Sequence, residues 1–188
     1  MTIDRRRFLA CSAAGVALAA ASTAAAAEGD PAPKRANRIA VSTYSFWQFR
    51  HRDLRDVGRC IDLAAEMGFD GVEILHRQMQ DESNAALQKL KQRAFANSLS
   101  LCGFSTHQGF LSPKKEVRQK NVEHTLRCIE LAYRMGIPTM RVNTGTWGTS
   151  KNFDELMKNK GIEAPLEGHT DEEAFAWVID GLGAMPIR

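Results

Sequence analysis

The chain has 188 residues, which is enough for one domain with an adequate hydrophobic core, and it carries 25 basic against 22 acidic residues. Residues 1–27 hold three arginines and one aspartate, so removing them lowers the net charge from +3 to +1. A nearly neutral remainder gives no electrostatic basis for binding nucleic acid, and nothing after residue 27 is long and apolar enough to anchor the chain stably in a membrane.

Residues 1–27 have the pattern of an export signal. The run Arg5–Leu9 (RRRFL) opens onto an alanine-rich apolar stretch, and Ala25–Ala27 offer an A-x-A cleavage site. The arginine pair before Phe-Leu resembles the twin-arginine signal, which carries folded proteins. We therefore predict recognition by the twin-arginine export machinery and a periplasmic or secreted location. The alternative is a transmembrane anchor, for which the apolar stretch is short.

Residues 28–37, rich in proline, alanine, glycine and charge, predict a linker, and residues 38–188 predict alternating strands and helices. The strand-like runs begin at Ile39, Gly71, Leu101 and Thr139. Their starts are 32, 30 and 38 residues apart, which fits βα units of about 30 residues.

Apolar residues at intervals of three and four predict an amphipathic helix after each strand. Asp53, Ser112 and Thr170 are predicted caps, and glycines at 68 and 136 end the first and third helices. The predicted inward-facing residues are Leu54, Val57, Ile61 and Ala64; Leu87, Leu90 and Ala94; Val122, Leu126, Ile129 and Tyr133; and Phe175, Val178, Ile179 and Leu182.

The chain also contains an internal repeat. Arg59–Gly68 (RCIDLAAEMG) matches Arg127–Gly136 (RCIELAYRMG) at an offset of 68 residues, which is two βα units. A repeated βα unit favours a barrel over an open sheet. The alternative is a chance similarity between two amphipathic helices.

Three cysteines follow the leader, at positions 60, 102 and 128. Their number is odd and their spacing is not typical of a metal site, so we predict buried thiols and no disulfide framework. His124 lies in the middle of a helix among charged residues, and we predict that it is exposed to solvent.

Four segments resemble the sugar phosphate isomerase/epimerase family: GFDGVEIL at 68–75, STHQGF at 105–110, NVEHTLRCIELAYRMGIP at 121–138 and RVNTGTW at 141–147. That family has the xylose-isomerase-like TIM barrel, which also houses endonuclease-IV-type repair enzymes. The resemblance covers about residues 38–180. It implies an α/β fold of the (β/α)8 TIM-barrel type with only about the first four βα units present, and a site at the carboxyl ends of the strands.

The resemblance also implies a function. Family members bind a divalent metal (Mn, Mg, Co or Zn) and move a proton between carbons of a sugar, sugar phosphate or keto-sugar. Their metal ligands come mainly from later strands, so the ion is expected for the family but not necessarily for this chain, and whether the chain is an enzyme stays open. We expect a truncated gene product that forms the amino-terminal part of the barrel. The alternative is a half-barrel that closes its open edges as a homodimer.

Six residues near the predicted strand ends are the candidate site. Glu73 points opposite to its strand neighbours, and its role is either catalytic or a salt bridge in the barrel wall. His107 is the second catalytic candidate, and it lies where endonuclease-like members place a metal ligand and isomerase members bind substrate hydroxyls. The substrate-binding candidates are Trp47, His76, Asn143 and Trp147. Their alternatives are lid packing for the two tryptophans, a solvated loop position for the histidine and a turn cap for the asparagine.

Three functions remain open at this point. The first is an exported sugar isomerase or epimerase with an incomplete barrel. The second is a non-catalytic carbohydrate-binding or interaction remnant. The third is an endonuclease-IV-like metal hydrolase, which export and the missing basic surface disfavour.

Overall fold

The structure is a computed structural model that describes residues 37–47 and 52–185. The leader predicted at residues 1–27 and nearly all of the predicted linker lie outside the described residues. Apart from Asn37, the described residues belong to one compact unit, Arg38–Arg188. No helix in the described ranges is both long and apolar enough to cross a membrane.

Four parallel strands form one sheet in the order β1-β2-β3-β4. They are β1 Ala40–Ser42, β2 Gly71–Leu75, β3 Ser100–Ser105 and β4 Met140–Arg141. Each strand lies beside its neighbour in the sequence, as successive βα units of a barrel do, whereas a doubly wound sheet reverses its strand order at a switch point. The predicted fold is confirmed as a partial barrel with four parallel strands.

The helices connect and follow these strands. They are α1 Thr43–Trp47, α2 Val57–Glu66, α3 Asn84–Ala96, α4 Lys115–Met135, α5 Phe153–Lys158 and α6 Asp171–Gly183, with 3-10 turns at Arg52–Arg55 and His76–Gln78. Thr170 and Glu173 form the predicted capping box at the start of α6. Asp56, and not Asp53, caps α2 by accepting a hydrogen bond from the backbone N–H of Arg59.

The hydrophobic core lies between the sheet and its helices. Ile74 of β2 is in register with Phe104 of β3, and both side chains are fully buried. They pack with Ile61 of α2, Leu87 of α3 and Leu131 of α4. Full burial of such a side chain contributes about 1.5–3 kcal/mol. The alternating residues of β2, including Glu73, therefore face the opposite side of the sheet.

The predicted inward face of α4 is wrong after its first member. Val122 is buried, but Leu126 and Ile129 are more than one-third exposed and Tyr133 is 80% exposed. The buried face instead carries Val122, Thr125, Cys128, Leu131, Ala132 and Met135. Thr125, whose hydroxyl is hydrogen-bonded, and the small residues Cys128 and Ala132 let this face approach the sheet. A search for large apolar residues at helical spacing does not select such residues.

The predicted inward face of α6 is also wrong. Phe175 and Ile179 are more than 60% exposed, and the buried residues are Ala174 and Gly181. A Cβ atom at Gly181 would lie 2.6 Å from the ring of Phe110, so this glycine permits the contact between α6 and the segment after β3.

The described cysteines form no disulfide, and Cys60 and Cys128 are fully buried, as predicted, whereas Cys102 is half-buried. The prediction that His124 is solvent-exposed is wrong. Its ring is half-buried, 4.9 Å from the ring of His76, and its Nε2 atom is 3.6 Å from Sγ of Cys128.

Candidate functional site

An open cleft of about 630 Å³ lies at the carboxyl ends of β3 and β4. We call it the strand-end cleft. Its polar lining is Arg77, His107, Gln108, Asn143, Thr144 and Thr146. The carboxyl ends of the strands are the face on which TIM barrels place their active sites.

Two glycines set the width of this cleft. A Cβ atom on Gly109 would lie 2.7 Å from the Cα atom of Gly145, so only glycine allows the segments after β3 and β4 to come this close. Gly145 itself has φ +113°, in the region that favours glycine. Backbone N–H groups of Phe110 and Leu111 both donate to the carbonyl of Thr144, at 2.7 and 3.3 Å, which joins the two segments.

Helix α4 holds the segment after β3 from behind. Asn121 donates its side-chain N–H to the carbonyl of Gly109 at 2.6 Å. The amide of Gln108 donates to the hydroxyl of Thr125 at 2.9 Å, and that hydroxyl donates to the carbonyl of Asn121. The other side-chain atom of Gln108, Oε1, is buried and has no hydrogen-bond partner among the described residues. These bonds fix the floor of the cleft before any ligand binds.

His107 presents an exposed imidazole to the cleft, and its ring centroid is 5.4 Å from that of Tyr44. Partial burial, followed by the positive charges of Arg141 and Arg77, holds the pKa of His107 below its usual value. The imidazole is therefore neutral at neutral pH, with one N–H donor and one nitrogen lone pair. Such a group can hydrogen-bond a hydroxyl in either direction.

Glu73 lies in a second hollow of about 380 Å³ on the sheet, together with Arg141. Gly103 makes room for the glutamate, because a Cβ atom there would meet Glu73 Cγ at 3.0 Å. The Nε atom of Arg141 is 3.8 Å from Oε1 of Glu73, which is an ion pair but too long for a hydrogen bond. That oxygen is buried and accepts no hydrogen bond from the described residues. The salt bridge named above as the alternative role of Glu73 is thus present as a long ion pair without a hydrogen bond.

Arg141 links the two hollows, and the sequence analysis did not select it. It donates to Oδ1 of Asn143 at 2.8 Å in addition to its ion pair with Glu73. Arg141 ends β4 and Asn143 follows it two residues later, and this spacing was the available signal, since residues two apart in extended chain lie on the same side. Arg77, which lines the strand-end cleft directly after β2, was also not selected.

The predicted site residues do not all come together. His107 and Asn143 share the strand-end cleft, and Glu73 lies in the hollow beside it. His76 points elsewhere, toward Phe104 and His124 on the helix-covered side of the sheet. The side chain of Trp47 lies outside the described part of the chain.

Trp147 is 9% exposed. Its indole N–H donates to Asp171 at 2.9 Å, and its ring packs edge-on against Trp177, with the ring centroids 6.1 Å apart. Both partners belong to α6, so the observed position is that of the lid-packing alternative. Little of the indole surface is left to contact a sugar.

The strand ends do not supply a divalent-metal site from the described residues alone. Only one group of three metal-ligating side chains comes together in the described ranges, and it consists of His76, His124 and Cys128, outside the strand-end cleft. The positive charges of Arg77 and Arg141 act on His107, and they would repel a cation bound to its imidazole. The donor set at the strand ends, one carboxylate and one imidazole with two guanidinium groups, does not fit the ion that the family resemblance implies.

A model of the xylose isomerase-like TIM barrel family matches residues 61–185, about two thirds of the chain. The chain belongs to this family. The match includes β2, β3 and β4 and the whole strand-end cleft, which lies on the side of the sheet where TIM barrels place their active sites. No curated protein sequence matches the chain significantly.

Solved structures similar to this one include sugar epimerases. D-psicose 3-epimerase from Clostridium cellulolyticum H10, solved with D-tagatose, is 14% identical with a TM-score of 0.56. A D-psicose 3-epimerase solved with D-fructose is 17% identical with a TM-score of 0.57. For both, the match covers 78% of this chain and 46% of theirs. The 3-keto-D-glucoside 4-epimerase of E. coli is 16% identical with a TM-score of 0.53, and the match covers 78% of this chain and 49% of the epimerase. The chain thus shares their fold and spans about half their length.

Proposed function

We propose that the chain is the amino-terminal part of a sugar isomerase- or epimerase-like barrel, and that its strand-end cleft binds the hydroxyl and carbonyl oxygens of a sugar or keto-sugar. The observation that carries this proposal is the convergence of His107, Asn143 and Arg77 at the carboxyl ends of barrel strands. The names of the structural neighbours support the substrate class, because they are epimerases of a ketohexose and of a keto-glucoside.

Each group has a role that follows from its contacts. Asn143 accepts a hydrogen bond from Arg141 through Oδ1, so the role left for its side-chain N–H groups is to donate to an oxygen of the ligand. Neutral His107 accepts a hydrogen bond from a sugar hydroxyl or donates one to a carbonyl. Arg77 adds positive charge, which also suits a sugar phosphate.

Glu73 is the carboxylate of this half of the barrel. Its buried Oε1 atom has no hydrogen bond from the described residues, so it can accept the hydrogen of a sugar hydroxyl that reaches the second hollow. We propose that in a complete barrel the same oxygen takes a proton from the sugar. No step is assigned to a divalent ion, because the described strand-end residues do not form a site for one.

The chain spans about half the length of its structural neighbours, so we propose sugar binding for this chain and proton transfer for a complete barrel. A non-catalytic carbohydrate-binding protein would also bind the sugar. Turnover of a bound ketose distinguishes the two functions, because only the enzyme converts it.

We also propose that residues 1–27 direct export by the twin-arginine pathway, on the strength of the Arg5–Leu9 motif and the apolar run after it. Replacing Arg5, Arg6 and Arg7 by lysine should leave the protein in the cytoplasmic fraction of the producing cell. An unchanged distribution between fractions in the triple variant would contradict twin-arginine export.

Sugar affinity of matched variants tests the binding proposal. D-fructose and D-tagatose are titrated against the chain and monitored by saturation-transfer NMR. We expect His107→Ala and Asn143→Ala each to weaken binding about fivefold, since one hydrogen bond is worth about 1 kcal/mol. His169→Ala is the control, because that histidine contacts Glu173 and Trp177 and does not line the cleft. Equal affinity in all four proteins would overturn the proposal.

A further inference from the structure

Two histidines and a cysteine meet on the helix-covered side of the sheet. His76 follows β2, and His124 and Cys128 lie one turn apart on α4. One ligand atom from each of the three lies within 4.8 Å of the others. We call this group the His-His-Cys cluster. None of its members lines the strand-end cleft.

The distances within the cluster match those between the ligands of a tetrahedral zinc ion. Zn–N bonds of about 2.05 Å and a Zn–S bond of about 2.3 Å at a tetrahedral angle place nitrogen and sulfur about 3.6 Å apart. The separation of His124 Nε2 and Cys128 Sγ is 3.6 Å. The rings of His76 and His124 lie 4.9 Å apart at 61°, so they are close without being stacked face to face.

A carboxylate supports the cluster from outside. Oε1 of Glu82 is 2.7 Å from Nε2 of His76, and the other carboxylate oxygen of Glu82 is paired with Arg127. Metal-binding histidines commonly donate their second ring N–H to a carboxylate, which fixes the ring and leaves the other nitrogen for the ion. The ring of Phe104 packs against His76 with the centroids 5.8 Å apart, so apolar surface lies beside the cluster.

We propose that His76, His124 and Cys128 bind one Zn²⁺ ion, with Glu82 orienting His76. Two imidazoles and a thiolate are a donor set that suits zinc and other borderline or soft divalent ions, and a fourth position is left for water. The thiol proton passes to solvent when sulfur binds the ion.

The internal repeat provides a natural comparison. Cys60 occupies the position in α2 that Cys128 occupies in α4, and both are fully buried. Sγ of Cys60 lies 3.2 Å from the carbonyl of Leu54 and 3.4 Å from the amide of Gln78. The residue four positions before Cys60 is Asp56, whereas the one before Cys128 is His124. Only the second copy of the repeat has a nitrogen ligand one turn away.

An ion at this position joins α4 to the turn that follows β2. It therefore stabilises the packing of the fourth helix on the sheet and takes no part in sugar binding. Zinc binding by the His-His-Cys cluster does not depend on sugar binding by the strand-end cleft. Metal titration measures the first and sugar titration measures the second.

The test uses the full chain, stripped with a chelator and titrated with Co²⁺ and then Zn²⁺. We expect one Co²⁺ per chain, a near-ultraviolet thiolate-to-cobalt charge-transfer band and its loss when Zn²⁺ displaces cobalt. Cys128→Ala should abolish the band, and Cys60→Ala, the matched control, should retain it. A band that survives Cys128→Ala, or one that disappears with Cys60→Ala, would overturn the proposal, as would wild-type protein that binds no cobalt.

A second variant keeps the test decisive if Cys128→Ala does not fold. His124 is half-buried, and its replacement by alanine should leave the far-ultraviolet circular dichroism spectrum unchanged. We expect His124→Ala to weaken Zn²⁺ binding at least tenfold in competition with a chromophoric chelator. Wild-type affinity in a folded His124→Ala protein would overturn the proposal.

Discussion

Gly109→Ala should destabilise the protein by closing space that the strand-end cleft needs. The new methyl group would lie 2.7 Å from Gly145 Cα, whereas carbon atoms in ordinary contact are about 3.5–4.0 Å apart. The segments after β3 and β4 must therefore separate by about 1 Å. Overpacking of this kind costs about 1–3 kcal/mol. The φ of Gly109 lies outside the left-handed region, so alanine adds no backbone strain of its own.

The separation also acts on hydrogen bonds. The carbonyl of Thr144 accepts from Phe110 and Leu111, and the carbonyl of Gly109 accepts from Asn121, and each weakened bond costs about 1 kcal/mol. Reduced entropy of the unfolded chain returns about 0.4–1 kcal/mol. We expect a net loss of about 3–5 kcal/mol, with a lower sugar affinity.

Urea denaturation followed by circular dichroism measures this loss. Gly183→Ala is the control, because it makes the same substitution at the end of α6, where a Cβ atom would meet nothing within 4 Å. We expect the control to be unchanged or more stable by up to about 1 kcal/mol. If Gly109→Ala is as stable as the control, the two segments do not approach each other as described, and the account of the cleft is wrong.

Three further predictions concern charge and capping. The pKa of His107 is lowered below its ordinary 6.5, so the folded state binds the proton less readily than the unfolded state. The contribution of His107 to stability is therefore complete above about pH 6.5 and is lost as the pH falls. Urea denaturation should show that His107→Gln loses less stability than wild type between about pH 7.5 and 5. Asp62→Asn removes an ion pair in which Arg93 Nε lies 2.8 Å from the carboxylate. The substitution should cost about 0.5–1 kcal/mol at neutral pH and less in 1 M salt, and an unchanged urea midpoint at low salt would contradict this pairing. Thr170→Ala breaks the capping box of α6 and should cost about 1 kcal/mol by thermal or urea unfolding, whereas Thr170→Ser should cost little.

The parts of the fold that sequence predicted are those with local signals. Strand β2 is a short apolar run that begins at Gly71, and α6 begins at a capping box that needs only Thr170 and Glu173. The order of the strands followed from the spacing of the βα units and from the family resemblance. Each of these depends on residues that are close together in the chain.

The buried helix faces depended on partners that are distant in the sequence. Thr125 is buried because Gln108, 17 residues earlier, donates to its hydroxyl, and Gly181 is buried because the ring of Phe110 packs on it. Apolar periodicity gives no weight to a threonine or a glycine, so it selected the exposed Tyr133 and Phe175 instead.

Only part of the candidate site was predicted, because the other part also depends on contacts between residues that are distant in the sequence. His107 and Asn143 each lie two residues after the end of neighbouring strands β3 and β4, and strand order alone brings them to one cleft. The link through Arg141 depends on side-chain length and register, and the neighbourhood of His76 and Cys128 depends on how α4 packs against β2. Neither can be read from spacing along the chain.

The most direct test of the central claim is a map of sugar binding by NMR. Isotope-labelled protein is titrated with D-fructose, and chemical-shift changes are followed for backbone amides and for the side-chain amide of Asn143. The account predicts that the largest changes occur at Gly109, Asn143 and Gly145, in the strand-end cleft. The hollow of about 260 Å³ that includes Arg55 and Lys89 is an internal comparison. Changes centred on that hollow, or none at saturating sugar, would contradict the account.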